Sequence, residues 1–326
     1  MNNGDIWLNP QLFLVSLGLT ADGGTVADFT DSEATELAES IKALRLSRNI
    51  REWFSHARTG QVKVNPYWPR GSTLAAACFF INEEGWLDAE RFFAFEAGTG
   101  SADPVGEEDW KGWVVRLPEI LKEMEANAGV RALREAHDHM VTGRFPAWEE
   151  SMRGVRTAAE KFFTGRAPRL LFSPRILFPV LADYVFIDEG MVTIAASPDE
   201  ESILHETLHK VLAGHREILA DFICRCGLEG FVRREKLAAW GYWKGDFLQA
   251  AVHAAEECFA RGLSAALAGK PEERMREHAS CGFLAVPFIA SQARRLQPTD
   301  VLLGDFLRRT LEAYAGCEEK ANLTIS

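Results

Sequence analysis

Three residues have the types and spacing to do chemistry. The segment Ser197-Pro-Asp-Glu-Glu-Ser-Ile-Leu-His205-Glu206-Thr-Leu-His209 contains the pattern H-E-x-x-H. On a helix, positions i and i+4 lie one turn apart, so His205 and His209 project from one face. Two neutral imidazoles so placed suit a tetrahedral zinc ion, with Zn–N bonds of about 2.0–2.1 Å. Glu206 sits one residue along. It can reach a water at the metal without being a ligand itself. The expected roles follow: zinc acidifies the water and polarises a carbonyl, and Glu206 moves the proton to the leaving group.

A rigid helix has to carry such a motif. Ser197 reads as its N-cap, Pro198 as the first helical position and Glu200 as the capping-box partner. Ile203, Leu204, Leu208, Val211 and Leu212 supply the apolar stripe that anchors it. Before it, Arg169–Ser173 reads as a strand. Tyr184–Asp188 and Met191–Ala196 read as a hairpin around Glu189 and Gly190. Helices are expected afterwards at Arg216–Cys226, Gly230–Trp240, Phe247–Ala268 and Thr299–Ala315. In the first half, Asp31–Trp53 reads as one helix and Leu74–Ile81 as a strand. Gly98–Gly106 reads as a linker, and helices follow at Glu107–Ala126, Val130–Met140 and Pro146–Phe163. The expected organisation is residues 1–165 as a mainly helical region without a legible role and residues 166–326 as the domain that carries the motif.

The stretch from Arg169 to Leu267 resembles the zincin metallopeptidases, through its strand, hairpin and H-E-x-x-H helix. The resemblance implies an α+β fold: a mostly helical, zincin-like catalytic domain with a small mixed sheet and an H-E-x-x-H active-site helix. In zincins the edge strand of that sheet pairs with an extended substrate, and Met191–Ala196 is the matching segment here. The implied cofactor is zinc, and the implied partner is a peptide or protein substrate.

The third ligand decides the subclass, and the residues leave several candidates. Glu257 lies in Val252-His-Ala-Ala-Glu-Glu-Cys-Phe-Ala-Arg261, a helical segment able to pack beside the motif helix. The run from Glu257 to Leu263 resembles the second-helix motif of an uncharacterised bacterial family of predicted gluzincin-like metallopeptidases, in which a glutamate precedes an arginine by four. Arg261, one turn on, would orient the carboxylate. Glu257 and Arg261 equally suit a plain ion pair on a helix face. Glu256 is the register-shifted alternative. Glu229 has the spacing of thermolysin-like enzymes, but Leu228 and Arg233 stand where those carry Asn and Asp. His215 has the metzincin spacing, but Leu212 stands where metzincins need glycine; a surface histidine is the simpler reading. Gluzincin type, with Glu257 as ligand, is the leading expectation. For the oxyanion donor the candidates are Tyr242 and His253, with Tyr242 preferred, although Trp240, Tyr242 and Trp243 equally read as core packing.

Composition bounds the alternatives. The chain has 326 residues, 47% hydrophobic and 25% charged, with a net charge of -11. That suits a soluble globular chain and argues against bulk binding to nucleic acid or anionic membrane. No Lys or Arg precedes Lys42, so the apolar stretch Leu12–Leu19 lacks the basic start of a signal peptide, and a cytoplasmic location is expected. The six cysteines form no C-x-x-C pair and are expected to be reduced and partly buried. His137 and His139 sit two apart, on different helix faces, and read as surface histidines rather than a metal pair. The expected activity is zinc-dependent hydrolysis of a peptide bond. The alternatives are a metal hydrolase of a non-peptide amide, and a binding or regulatory protein with a structural or vestigial zinc site.

Overall fold

The computed structural model describes residues 2–22, 32–58, 70–98, 107–165, 167–177, 183–187, 190–226, 232–233 and 247–325. The described chain is mostly helical with one small mixed sheet, an α+β arrangement. It divides into two units. The first comprises Met1–Met152 with Arg169–Pro198, and the second Arg153–Pro168 with Asp199–Ser326.

The first unit holds the sheet: β1 (Asn2–Asn3), β2 (Ile6–Trp7), β3 (Arg169–Pro174), β4 (Asp183–Ile187) and β5 (Gly190–Ala195). Their spatial order is β1-β2-β3-β5-β4. β4 and β5 form the expected antiparallel hairpin, with Val185 opposite Val192. β5 also pairs in parallel with β3 along its whole length, from Arg169 opposite Gly190 to Pro174 opposite Ala195. β5 is therefore internal, and Met191–Ala196 is not the edge segment that the zincin likeness implies. Among the described residues the outer strand on that side is β4. The boundary expected near residue 165 also shifts. β3 pairs with β2, through Ile6 and Phe172, and Ser173 Oγ donates to the Trp7 carbonyl at 2.7 Å. These bonds tie residues 169–198 to the N-terminal segment rather than to the motif helix.

The helices of this unit are α1 (Pro10–Ala21), α2 (Ser32–Lys42), α3 (Arg48–Arg58), α4 (Arg70–Ala77), α5 (Ala89–Gly98), α6 (Glu107–Val114), α7 (Leu117–Ala126) and α8 (Ala128–Gly143), with the first part of α9 (Phe145–Phe162). The apolar stretch Leu12–Leu19 is the buried body of α1, capped by Asn9, whose side chain accepts from the Gln11 and Leu12 amides. A helix apolar on all sides belongs in a core. Among the described residues no helix is long and apolar enough to cross a membrane.

Four expectations need correction here. The segment expected as one helix from Asp31 to Trp53 is two, because Ser47 caps a new start by accepting from the Ile50 amide. Glu107–Ala126 is also two helices, because Pro118 has no N–H to offer the Val114 carbonyl. Leu74–Ile81 is not a strand: α4 runs into a short 3-10 turn at Cys78–Phe80. An unbroken apolar run has no period to separate helix from strand, and three consecutive alanines favour the helix. His137 is buried against the Phe13 ring at 4.6 Å, whereas His139 is exposed as expected.

The second unit holds the rest of α9 with α10 (Glu200–Ala213), α11 (Arg216–Cys226), α12 (Phe247–Leu267), α13 (Glu272–Ser280), α14 (Val286–Leu296) and α15 (Leu303–Ile325). The motif helix is α10, and it starts later than the sequence suggests. Its N-cap is Asp199, not Ser197: Asp199 Oδ2 accepts from the Ser202 amide and Oδ1 from Lys270 Nζ, each at 2.9 Å. A charged cap that also binds a lysine outcompetes a serine two residues earlier. Apart from Val232 and Arg233, the segment expected as a helix at Gly230–Trp240 lies outside the described residues, as do residues 99–106 of the expected linker.

One apolar core, including Leu208, Leu212, Leu219, Phe222, Phe259, Leu263, Ile289 and Phe306, packs α10, α11, α12, α14 and α15 together. Gly262 on α12 marks a close approach to α14. A Cβ there would lie 2.6 Å from Ile289 Cγ2 and 2.8 Å from Ile289 Cβ. Gly262→Val is expected to destabilise the protein by more than about 2 kcal/mol through overpacking. Thermal unfolding checks this, and a variant melting at or above wild type contradicts the close α12–α14 approach.

Candidate metal centre

α10 and α12 lie side by side in the second unit's core, and their facing sides carry the candidate ligands. His205 and His209, one turn apart on α10, turn their Nε2 atoms to within 3.0 Å of each other. The rings stand at 84° to one another. Glu257 on α12 completes the group: its Oε1 is 3.3 Å from His209 Nε2 and its Oε2 is 3.6 Å from His205 Nε2. One donor atom from each residue falls within a 4.8 Å span, and the three residues could hold a metal ion. In a tetrahedron with bonds of about 2.0–2.1 Å, donors lie about 3.3–3.4 Å apart. The 3.0 Å between the two Nε2 atoms and the 3.3 Å from His209 Nε2 to Glu257 Oε1 lie near that value.

The surroundings prepare these donors. His209 Nδ1 lies 3.0 Å from Glu256 Oε1, and Arg216 donates to Glu256 from Nε at 2.6 Å and from a terminal nitrogen at 3.3 Å. Carboxylate, histidine and metal position in line fix the tautomer, leaving the Nε2 lone pair for the ion. Arg261 Nε and Nη2 donate to Glu257 Oε2 at 3.2 and 3.1 Å.

The charge states agree with this arrangement. Burial pushes the Glu257 carboxyl up, but Arg261 first, with His209 and His205, holds it well below the usual carboxylate range. Glu256 is lowered in the same way: burial is outweighed by the bonds to His209 and Arg216. Both are therefore anionic at neutral pH. Burial drives the His205 imidazole well below its ordinary value despite the pull of Glu257. For His209 burial loses to Glu257 and to the hydrogen bond with Glu256, and the value rises to about 10. Without a metal ion, a proton on one of the two Nε2 atoms joins the rings as an N–H···N hydrogen bond.

The expected residues come together as follows. His205, His209 and Glu257 form the group, and Glu206 Oε1 lies beside it, 3.9 Å from His205 Nε2. Arg261 holds Glu257 as expected. Glu256 lies outside this group, with its Oε1 on the far nitrogen of His209. His215 is half-buried between α10 and α11 and does not join the group. His253 stacks on the His209 ring at a centroid distance of 6.4 Å and is not one of the donors. Glu229 and Tyr242 lie outside the described residues. Cys78 and Cys258 are buried free thiols, and burial pushes both up, away from the reactive thiolate.

Sequence reasoning missed Arg216, Glu201, His278 and Arg274. Glu201 was within reach, since it lies one turn before His205. It is buried, and its Oε1 accepts from His278 Nε2 at 2.5 Å and its Oε2 from Arg274 Nε at 2.9 Å. The other three meet their partners only through the packing of distant helices, and no spacing announces them. No family model, no curated protein and no solved structure matches this chain.

Burial raises the Glu201 carboxyl, but the bonds from His278 and Arg274 outweigh it, and the net shift is downward from an ordinary value near 4.5. A depressed folded value means that the stabilisation is complete above the unfolded value and is lost as pH falls through the folded one. Glu201→Gln is therefore expected to melt below wild type at pH 6, with the gap narrowing on acidification toward pH 3. Melting curves across that range check it, and a gap that stays constant or widens contradicts the assignment.

Proposed function

We propose that this chain is a zinc-dependent peptidase of gluzincin type, with His205, His209 and Glu257 as metal ligands and Glu206 as general base. The observation that carries the reading is the convergence of His205 Nε2, His209 Nε2 and a Glu257 oxygen beside Glu206. A zinc ion held by these residues would supply Lewis acidity, able to polarise a carbonyl and to acidify a water to a pKa of about 7. Glu206 takes the proton of the attacking water and returns it to the leaving amine. Glu256 and Arg216 keep His209 in the tautomer that binds metal, and Arg261 keeps Glu257 ionised. Tyr242 is the proposed donor to the developing oxyanion, on residue type and place in the sequence alone.

A structural zinc site closes its tetrahedron with four protein ligands, whereas a catalytic one leaves a position open. Among the described residues three donors gather, and an acid suited to proton transfer adjoins them. This favours turnover over a structural or vestigial site. The proposed substrate is a peptide or protein met in the cytoplasm.

Glu206→Gln is expected to retain zinc while losing at least about 100-fold in peptide hydrolysis, the scale of a lost general base. A quenched-fluorescent peptide library with parallel metal analysis checks both. A variant hydrolysing at the wild-type rate removes Glu206 from the reaction.

A further inference from the structure

Behind Glu257 a line of polar side chains, buried at Glu257, His278 and Glu201, leads back to the motif helix. Glu257 and Arg261 are on α12, His278 and Arg274 on α13, and Glu201 on α10. Arg261 spends Nε and Nη2 on Glu257 Oε2, and its Nη1 donates to His278 Nδ1 at 3.4 Å. An arginine has no acceptor, so Nδ1 must be the accepting nitrogen of His278. The ring proton is then on Nε2, which donates to Glu201 Oε1. The Arg261 guanidinium also lies over the Phe283 ring, 4.3 Å from its centroid. Glu201 and His278 are only 4% and 6% exposed. The contacts thus close a ring that leaves α10 at the two histidines and returns to it one turn earlier, at Glu201.

We propose that Glu201 and His278 are positioning residues for the metal centre, which through Arg261 fix the angle at which Glu257 presents its oxygens to His205 and His209. The inference rests on the metal-centre reading above. A guanidinium is planar and rigid, so the bond at Nη1 sets the plane of the fork that grips Glu257. The bond to His278 adds to the hold of Glu257 and Phe283 on that plane, and Glu201 fixes the tautomer that lets His278 accept. Burying a carboxylate and an imidazole among helices is costly unless every partner is present, and here each is matched.

The test measures zinc affinity by competition with a chromophoric chelator on the full chain, with folding followed by circular dichroism. His278→Leu is expected to weaken zinc binding about 10- to 100-fold, the range for lost partners of metal ligands. His278→Asn, whose amide oxygen can accept from Arg261 as Nδ1 did, is expected to recover most of that loss. Met275→Ala removes a buried apolar side chain from the same helix. It is expected to lower the melting temperature and leave zinc affinity at the wild-type value. Glu201→Gln, of unchanged size, carries the same expectation of weakened binding if the leucine variant does not fold. Unchanged affinity in His278→Leu or Glu201→Gln overturns the proposal, as does an equal loss in the Leu, Asn and Met275 variants. Wild-type protein that binds no zinc overturns the metal centre itself, and the positioning role with it.

Discussion

Two imidazole nitrogens face each other at 3.0 Å beside a buried carboxylate, and two bare lone pairs cannot sit so close without something between them. Either a proton on one ring, donated to the other as an N–H···N hydrogen bond, or a metal ion taking both lone pairs joins them. The second unit is organised around this constraint. Glu256 and Glu257 supply negative charge at opposite edges of His209, and Arg216 and Arg261 supply the cations that keep the carboxylates ionised. Burying so many charged groups is unfavourable without near-complete pairing. The sequence tolerates it on α10 and α12 because the site groups approach from neighbouring helices, each aimed at a named partner.

The apolar framework is what makes such aim possible. α10 is anchored by Ile203, Leu204, Leu208 and Leu212, all buried, and its start is fixed by Asp199. α12 sits against α14 at Gly262, where no side chain intervenes. Donor separations that must hold to a few tenths of an ångström need helices that cannot slide. The polar ring through Arg261, His278 and Glu201 adds α13 to that scaffold.

What could be read beforehand was what depends on local spacing. His205, Glu206 and His209 announce themselves by a turn of helix, and Glu257 with Arg261 by another, so the candidate site was largely legible. Tertiary pairings were not. Arg216 reaches Glu256 across 40 residues and His278 reaches Glu201 across 77, with nothing in either neighbourhood to link them. The sheet misled for the same reason. The hairpin was legible from its turn, but the parallel pairing of β3 with β5, which makes β5 internal, is a non-local choice. The pairing of β2 with β3 likewise moved the boundary, because two residues near the start of the chain recruit a strand more than 160 positions later. The helical state of the run from Leu74 to Phe80 was hidden by its own uniformity: without alternation, an apolar run has no face to read.

The central claim is that the His205–His209–Glu257 group binds zinc. It is tested most directly by elemental mass spectrometry on protein purified without a histidine tag or added metal, with His205→Ala alongside. A three-donor site of this kind predicts about one zinc per chain in the wild type and its loss in the variant. Protein that carries no zinc, and takes none up when a small excess is added, would contradict the account.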